Sequence, residues 1–414
     1  MQPPDDQRAP FESGRIGHGR IAVVTPRYGP EVVGGSETLM RELAHGLADR
    51  GWDVEVLTSC AQDHFSWRDV FPPGTSRVDN LTVRRFPASV SKSRHERVFY
   101  NRAINAGSAL RLDEQYRWLN DDVRMPEMFH HLVDHGDEYR AVLLSPYLFW
   151  PTVACAEAVP ERSILIPCLH DEPEAYLGLF DALFSSVRGI WFLSDPEARL
   201  AERLHPGLAE HRVLGTGVHV PTAYDAQRFR KKYGIEGRFV LYAGRREAGK
   251  NWDDLLDGFA AACVRSALPF SLVTIGALPV RAPAAIADRV IDLGYVPTED
   301  RDDAFAAADA YLQPSRYESF SRTMMESWLA ETLVIANGGS EVNRWHCDRS
   351  GAGLVYDDAL ELEQCLRFVA DSPAAAAAIG ASGRGYVLDN YTWGPVLDRV
   401  EECLGEWLPP GGSA

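Results

Sequence analysis

Short apolar runs recur along this chain, each followed by a segment of helical period, and that alternation limits its fold more than any other feature. Residues 20–60 give the first instance. "RIAVVTPRYG" reads as a buried strand and "PEVVGGSE" as a glycine-bearing loop. "ETLMRELAHGLADRG" reads as a helix with Leu39, Leu43 and Leu47 on one face and a stop at Gly51, and "WDVEVLTS" as the next strand. A βαβ unit of this kind implies a parallel sheet with helices on its faces. After a stretch of helical character over roughly 90–135, the runs "YRAVLLSPY", "RSILIPCLH" and "GIWFLS" continue the sheet to about residue 218. "VPTAYDAQRFRKKYGIEGR" then breaks the pattern with Pro, Gly and charge, and a second series begins: "FVLYAGRR", "FSLVTIGA", "RVIDLGYV", "AYLQPS", "TLVIANGG" and "AGLVYDD".

A length of 414 residues also exceeds what one hydrophobic core usually organises. The expected architecture is α/β, with two Rossmann-like doubly wound domains, 20–218 and 219–391, facing each other across a cleft. Residues 1–19 are expected to be a flexible tail, and an amphipathic helix over about 392–408 to pack back on the first domain. Ligands of such sheets bind beyond the carboxyl ends of the strands, so the cleft is the expected site.

The formal net charge of −17 repels nucleic acid, so any anionic ligand has to be held by a local cluster of cations. Seven scattered cysteines without a C-x-x-C pair read as reduced thiols rather than a disulfide framework or zinc site. No run approaches the ~20 apolar residues of a membrane span, and "MQPPDDQRAPFESGRIGHG" lacks the apolar core of a signal peptide. The expected location is the cytoplasm.

Two stretches carry chemistry. In "LYAGRREAGKN" the spacing of Gly244, Gly249 and Lys250 approaches a P-loop, but Asn251 stands where a magnesium-binding Ser or Thr is needed. Arg245 and Lys250 project from a strand-to-helix loop and offer two fixed charges able to clamp a diphosphate; solvated surface charge is the other reading. In "LQPSRYESFSRTMMESWLAETLVIANGGSE", Glu318 falls in the loop after a strand and Glu326 one to two turns into the following helix. A loop carboxylate accepts hydrogen bonds from sugar hydroxyls, one in the helix can bind a ribose diol, and the backbone N–H groups of Ser319, Phe320 and Ser321 sit where a helix dipole favours an anion. On spacing alone, the two glutamates also fit an ordinary helix with acidic residues near its start.

Taken together, these stretches resemble the retaining glycosyltransferases of glycosyltransferase family 4, which have the GT-B fold. Gly244, Arg245 and Lys250 match that family's G-R-x4-K clamp, and Pro314, Ser315, Glu318, Phe320 and Glu326 match its P-S-x-x-E-x-F-x-x-x-x-x-E block. Gly34 and Gly35 match its Gly-Gly loop, and His170 in "IPCLHDEP" its mid-domain histidine. The resemblance runs from about residue 20 and implies a donor of the nucleotide-diphosphate sugar type, an acceptor hydroxyl and no metal or other cofactor. It implies that Arg245 and Lys250 hold the diphosphate, Glu326 the ribose and Glu318 the transferred sugar. His170 would lie near the reacting carbon, Gly34 and Gly35 would allow close approach, and Val296 would lie beside the nucleobase. Ser319, Ser321 and Asn251 depart from it, since many members carry Gly at the first two positions and Asn251 replaces a frequent Gly.

The remaining signals have plainer readings. The aspartates of "WDDLLD" and "EDRDDAF" sit where helix N-termini favour acids without metal, and His131 and His135 in "FHHLVDH" lack a third zinc ligand. The stretch 84–102, with Arg84, Arg85, Lys92, Arg94, Arg97 and Arg102, is either a solvated face or a peripheral contact for an anionic membrane surface. A nucleotide-sugar epimerase of the same architecture and a non-catalytic sugar-nucleotide-binding module stay open; a dinucleotide oxidoreductase is disfavoured because "GPEVVGGSE" lacks G-x-G-x-x-G spacing.

Overall fold

The computed structural model describes residues 19–32, 34–90 and 95–408. The tail expected over 1–19 therefore lies outside the described residues apart from Gly19, as do Lys92 and Arg94. In the first half the strands are β1 (Arg20–Val24), β2 (Asp53–Ser59), β3 (Gly74–Val78), β4 (Leu81–Phe86), β5 (Ser89–Val90), β6 (Val123–Arg124), β7 (Ala141–Leu144), β8 (Ser163–Leu165), β9 (Gly189–Phe192) and β10 (His211–Val213). Eight of them form one sheet in the order β10-β9-β8-β7-β1-β2-β4-β3, while β5 and β6 pair separately. The second half contributes β11 (Arg238–Ala243), β12 (Phe270–Ile275), β13 (Val290–Asp292), β14 (Ala310–Gln313), β15 (Val334–Asn337) and β16 (Gly353–Tyr356), in the order β13-β12-β11-β14-β15-β16. Every pairing in the two large sheets is parallel except β3 with β4. Covered by helices on both faces, the central strands have to be apolar throughout: beyond its first residue, β1 (RIAVV) and β11 (RFVLYA) are buried along their whole length. This is the doubly wound pair the alternation predicts.

Two segments differ from the sequence reading. β3 and β4 form a hairpin over what reads as the start of a basic island. Asp79 and Asn80 both adopt positive φ, 47° and 66°, the conformation of a two-residue type I′ turn, which Asp and Asn tolerate. The hairpin and the helix behind it consume much of the charge. Arg85 is buried, donates to the carbonyls of Ser59 (3.1 Å) and Tyr28 (2.8 Å), and stacks over Phe71. Arg84 bonds Glu55 at 2.9 Å, and Arg97 pairs with Asp122 at 3.0 Å. Three of the six cations are thus tied into the fold.

The expected linker after 218 also holds a helix, Ala226–Tyr233, capped by the Asp225 side chain and stopped by Gly234 at φ 63°. Its Arg228 and Lys232 pair with Asp303 and Asp300, both at 2.6 Å. Two of the three aspartates of "EDRDDAF" are therefore partners for this helix, while Asp302 lies 3.7 Å from Arg301.

The chain crosses between halves again near its end. Val218 donates its N–H to Tyr391 at 2.7 Å, and the helix Trp393–Trp407 then lies across the first sheet. Leu397 packs where Gly46 leaves room, Arg50 bonds Asp398 and Glu401 at 2.8 Å, and the Trp407 ring fills the space a Cβ on Gly189 would take.

Candidate active site

Ligands of a doubly wound sheet collect where the strand order reverses, because the loops on either side of that point diverge and leave a crevice. The first sheet reverses between β7 and β1 and the second between β11 and β14. Loops following all four strands line one cavity of about 410 Å³. Gly34 ends the loop after β1 and Gly35 opens the helix that follows, Arg245 and Lys250 come from the loop after β11, and Glu318, Ser319, Phe320 and Ser321 from that after β14; His170, after β8, joins them.

Internal bonds hold the β11 loop. Tyr242 donates its hydroxyl to the Arg245 carbonyl at 2.6 Å. Arg246 turns inward, is 6% exposed, and bonds Thr274 (2.8 Å) and the Gly276 carbonyl (3.0 Å). With its neighbour anchored, Arg245 faces the cavity, its side chain 44% exposed and paired with Glu247 at 3.0 Å. Gly276, at φ 139°, brings β12 so close that an added Cβ would sit 2.0 Å from the Gly244 carbonyl oxygen. Asn251 has φ 54°, so the departure from Gly falls at a left-handed residue that Asn can occupy. Lys250 reaches across to Glu318, Nζ to Oε1 2.8 Å.

On the β14 loop, Asn337 and Asn343 donate their amides to the carbonyls of Pro314 (3.1 Å) and Ser315 (3.0 Å). The Phe320 ring is buried edge-on to His346 and Tyr391, so this residue anchors the loop through its side chain. Burial of His346 pushes its imidazole down to about 3, so it packs as a neutral ring. Ser321 caps the helix Arg322–Leu329 from a left-handed conformation, φ 64°. Ser194 donates its hydroxyl to the Ser319 carbonyl at 2.8 Å, and Arg322 bonds Glu42 (2.7 Å) and the Gly217 carbonyl (2.8 Å), tying the two halves together beside the cavity.

The opposite wall carries residues that no sequence motif singles out. Arg27 and Glu37 form a buried ion pair, and an added Cβ on Gly34 would collide with the Glu37 carboxylate, whereas Gly35 has open space in front of it. His64 is held below the usual imidazole range by burial and by the charges of Arg27 and Arg245. Tyr147 donates to Glu172 at 2.8 Å, and His170 Nδ1 lies 3.7 Å from the same carboxylate. Burial would raise Glu172, but the contacts with His170 and Tyr147 outweigh it and hold the group below the usual range. His170 therefore has a fixed anionic neighbour on its Nδ1 side, which leaves Nε2 for a ligand.

Two predicted site residues stand apart. Neither Glu326 nor Val296 lines the cavity. Glu326 lies a turn into its helix with Oε1 bonded to Arg301 at 3.1 Å and Oε2 buried without a partner, while Val296 packs against the hydrophobic core. His131 and His135 bond Tyr139 and Glu138, and among the described residues no group of three His, Cys, Asp or Glu is placed to hold a metal ion. Nor is any described helix long and apolar enough to cross a membrane.

Residues 237–371 match the family model of the glycosyl transferases group 1. Among curated proteins, mannosylfructose-phosphate synthase of Agrobacterium fabrum is 31% identical over 147 residues, covering 29% of this chain and 32% of that protein, so the matched part spans about a third of that relative. Glycogen synthase of Mycobacterium tuberculosis is 24% identical across 92% of this chain and 94% of its own length. Among solved structures, Anabaena HepE in complex with UDP and glucose superposes with a TM-score of 0.68 at 14% identity, covering 94% of this chain and 100% of that one. The fold is that of GT-B glycosyltransferases. The enzyme class that fold and family match together support is a glycosyltransferase.

Proposed function

We propose that this chain transfers a hexose-like sugar from a nucleoside-diphosphate sugar to an acceptor hydroxyl with retention of anomeric configuration. One observation carries the reading: Arg245, Lys250, Glu318 and His170 share a single cavity at the meeting point of two topological switch points. A nucleotide-sugar donor is also supported by the UDP and glucose bound in the Anabaena neighbour.

Charge development explains why such a site accelerates the reaction. Breaking the bond from the anomeric carbon to phosphate oxygen leaves negative charge on the diphosphate, and cations already fixed in place stabilise that state more than the ground state. Arg245 and Lys250 take this role, with no metal called for. Glu318 pairs with Lys250 at 2.8 Å; with the donor bound, Lys250 turns to phosphate and Glu318 to the sugar hydroxyls. His170, backed by Glu172, faces the sugar near the reacting carbon. The acceptor attacks from the face the leaving group vacates, and a leaving phosphate oxygen takes its proton, so no side-chain nucleophile is assigned.

The test is to incubate the protein with a panel of nucleotide sugars and hydroxyl acceptors and read product configuration by proton NMR. Acceptor-dependent release of nucleoside diphosphate with a retained linkage is expected. Release without any acceptor points instead to an epimerase-like use of water, and an inverted product contradicts retention.

A further inference from the structure

Four polar side chains at the start of the helix Arg322–Leu329 form a hydrogen-bond chain whose direction is set. Gln313 Nε2 donates to Ser321 Oγ at 2.5 Å and, more weakly, to Thr323 Oγ1 at 3.3 Å, while the Tyr311 hydroxyl donates to Thr323 Oγ1 at 2.8 Å. The Gln313 amide is oriented from behind, since its carbonyl oxygen faces the Ser315 N–H at 3.5 Å. An amide nitrogen can only donate. Ser321 Oγ therefore accepts on one lone pair and Thr323 Oγ1 on both, so the protons of Ser321 and Thr323 point away from Gln313. Gln313, Ser321 and Thr323 all line the cleft cavity, with Gln313 4% and Ser321 3% exposed.

The backbone adds an independent observation. Ser321 sits at φ 64° and ψ 65°, a left-handed conformation that Gly occupies more cheaply. The chain bears that strain and keeps a hydroxyl at a helix start that lines the same cavity as Arg245 and Lys250.

We propose that Gln313 orients Ser321 and Thr323 as donors toward the cavity, and that Ser321 thereby binds a phosphate oxygen of the nucleoside-diphosphate sugar. Ser321 is then a binding residue and Gln313 a positioning residue that acts through it. The inference rests on the nucleotide-sugar reading of the site and adds side-chain hydroxyls to its cations.

Titration calorimetry with UDP, GDP and ADP first identifies a nucleotide that the wild-type protein binds; the matching nucleoside is the control. Ser321→Gly suits the left-handed backbone and removes the hydroxymethyl group. Loss of one charge-assisted hydrogen bond weakens diphosphate binding about tenfold. Nucleoside binding is expected to be unchanged, and the melting temperature unchanged or higher. Gln313→Met is expected to weaken diphosphate binding similarly, and the double variant no further than Ser321→Gly alone. Full diphosphate affinity in Ser321→Gly overturns the inference and leaves the cation clamp standing, and so does an equal loss for nucleoside and diphosphate. Failure of the wild type to bind any of the three nucleotides overturns the site reading itself and this inference with it.

Discussion

Glu318→Gln separates two roles that a simple loss-of-function variant would merge. The carboxylate lies 2.8 Å from Lys250 Nζ, with the side chains 30% (lysine) and 11% (glutamate) exposed. Unit charges at that distance interact by about 1.5 kcal/mol even at the dielectric of water. Partial exposure and screening bring the net value to about 1 kcal/mol. A nucleoside diphosphate entering the clamp has to break that pair. Removing the carboxylate's charge relieves the competition, so UDP without sugar is expected to bind about fivefold tighter to Glu318→Gln. Transfer moves the opposite way. The sugar hydroxyls lose a charged acceptor, roughly 1.5 to 3 kcal/mol where the bond is charge-assisted, so kcat/KM falls by about ten- to a hundredfold. Calorimetry gives the first number and a coupled assay of nucleotide release the second. Weaker UDP binding in Glu318→Gln, or unaltered transfer, refutes the reasoning that Lys250 exchanges Glu318 for phosphate.

Three further perturbations test other links. Lys250→Met removes a cation from the leaving group and is expected to lower kcat/KM by about 10²–10³ in the same release assay, a loss far larger than the small drop in melting temperature from breaking the Glu318 pair. Gly276→Ala adds a Cβ 2.0 Å from the Gly244 carbonyl at φ 139°, so it should destabilise the fold by about 3 kcal/mol or more in urea unfolding, whereas Gly249→Ala, with nothing within 4 Å, should be near neutral. Glu197 is fully buried, and burial raises its carboxyl from 4.5 to about 8 against the bonds it accepts from the N–H groups of Leu193 and Leu169. The folded state thus keeps a proton that the unfolded state releases across that window, so this group's contribution to stability falls as pH rises from about 4.5 to 8. Glu197→Gln should show a flatter dependence of melting temperature on pH over the same window.

Much of the fold is legible because parallel strands buried on both faces leave long apolar runs, as β1, β7, β11 and β14 do. The hairpin of β3 and β4 is hidden for the converse reason: β3 is solvent-exposed along nearly its whole length and shows no apolar alternation. Its one clue is the Asp79-Asn80 turn pair. The clamp half of the site is legible because Arg245, Lys250, Glu318 and Ser321 lie in two short stretches with fixed spacing. The facing wall is not, because Arg27 meets Glu37 only when the loop after β1 folds back on the helix that follows it, and Tyr147 meets Glu172 only when successive β-α units have packed. Proximity alone offers a weak signal there: Arg27 follows closely on β1, and Glu172 is two residues beyond His170. The departures at Asn251 and Ser321 gain a physical explanation from the backbone, since both sit at positive φ.

The central claim is that two cations from the β11 loop hold a diphosphate in the cleft between the sheets. A crystal structure of the complex with UDP tests it most directly. Phosphate oxygens within hydrogen-bonding distance of Lys250 Nζ and the Arg245 guanidinium, with Lys250 released from Glu318, are the predicted result. UDP bound outside this cavity, or bound within it while both cations keep their present carboxylate partners, would contradict the account.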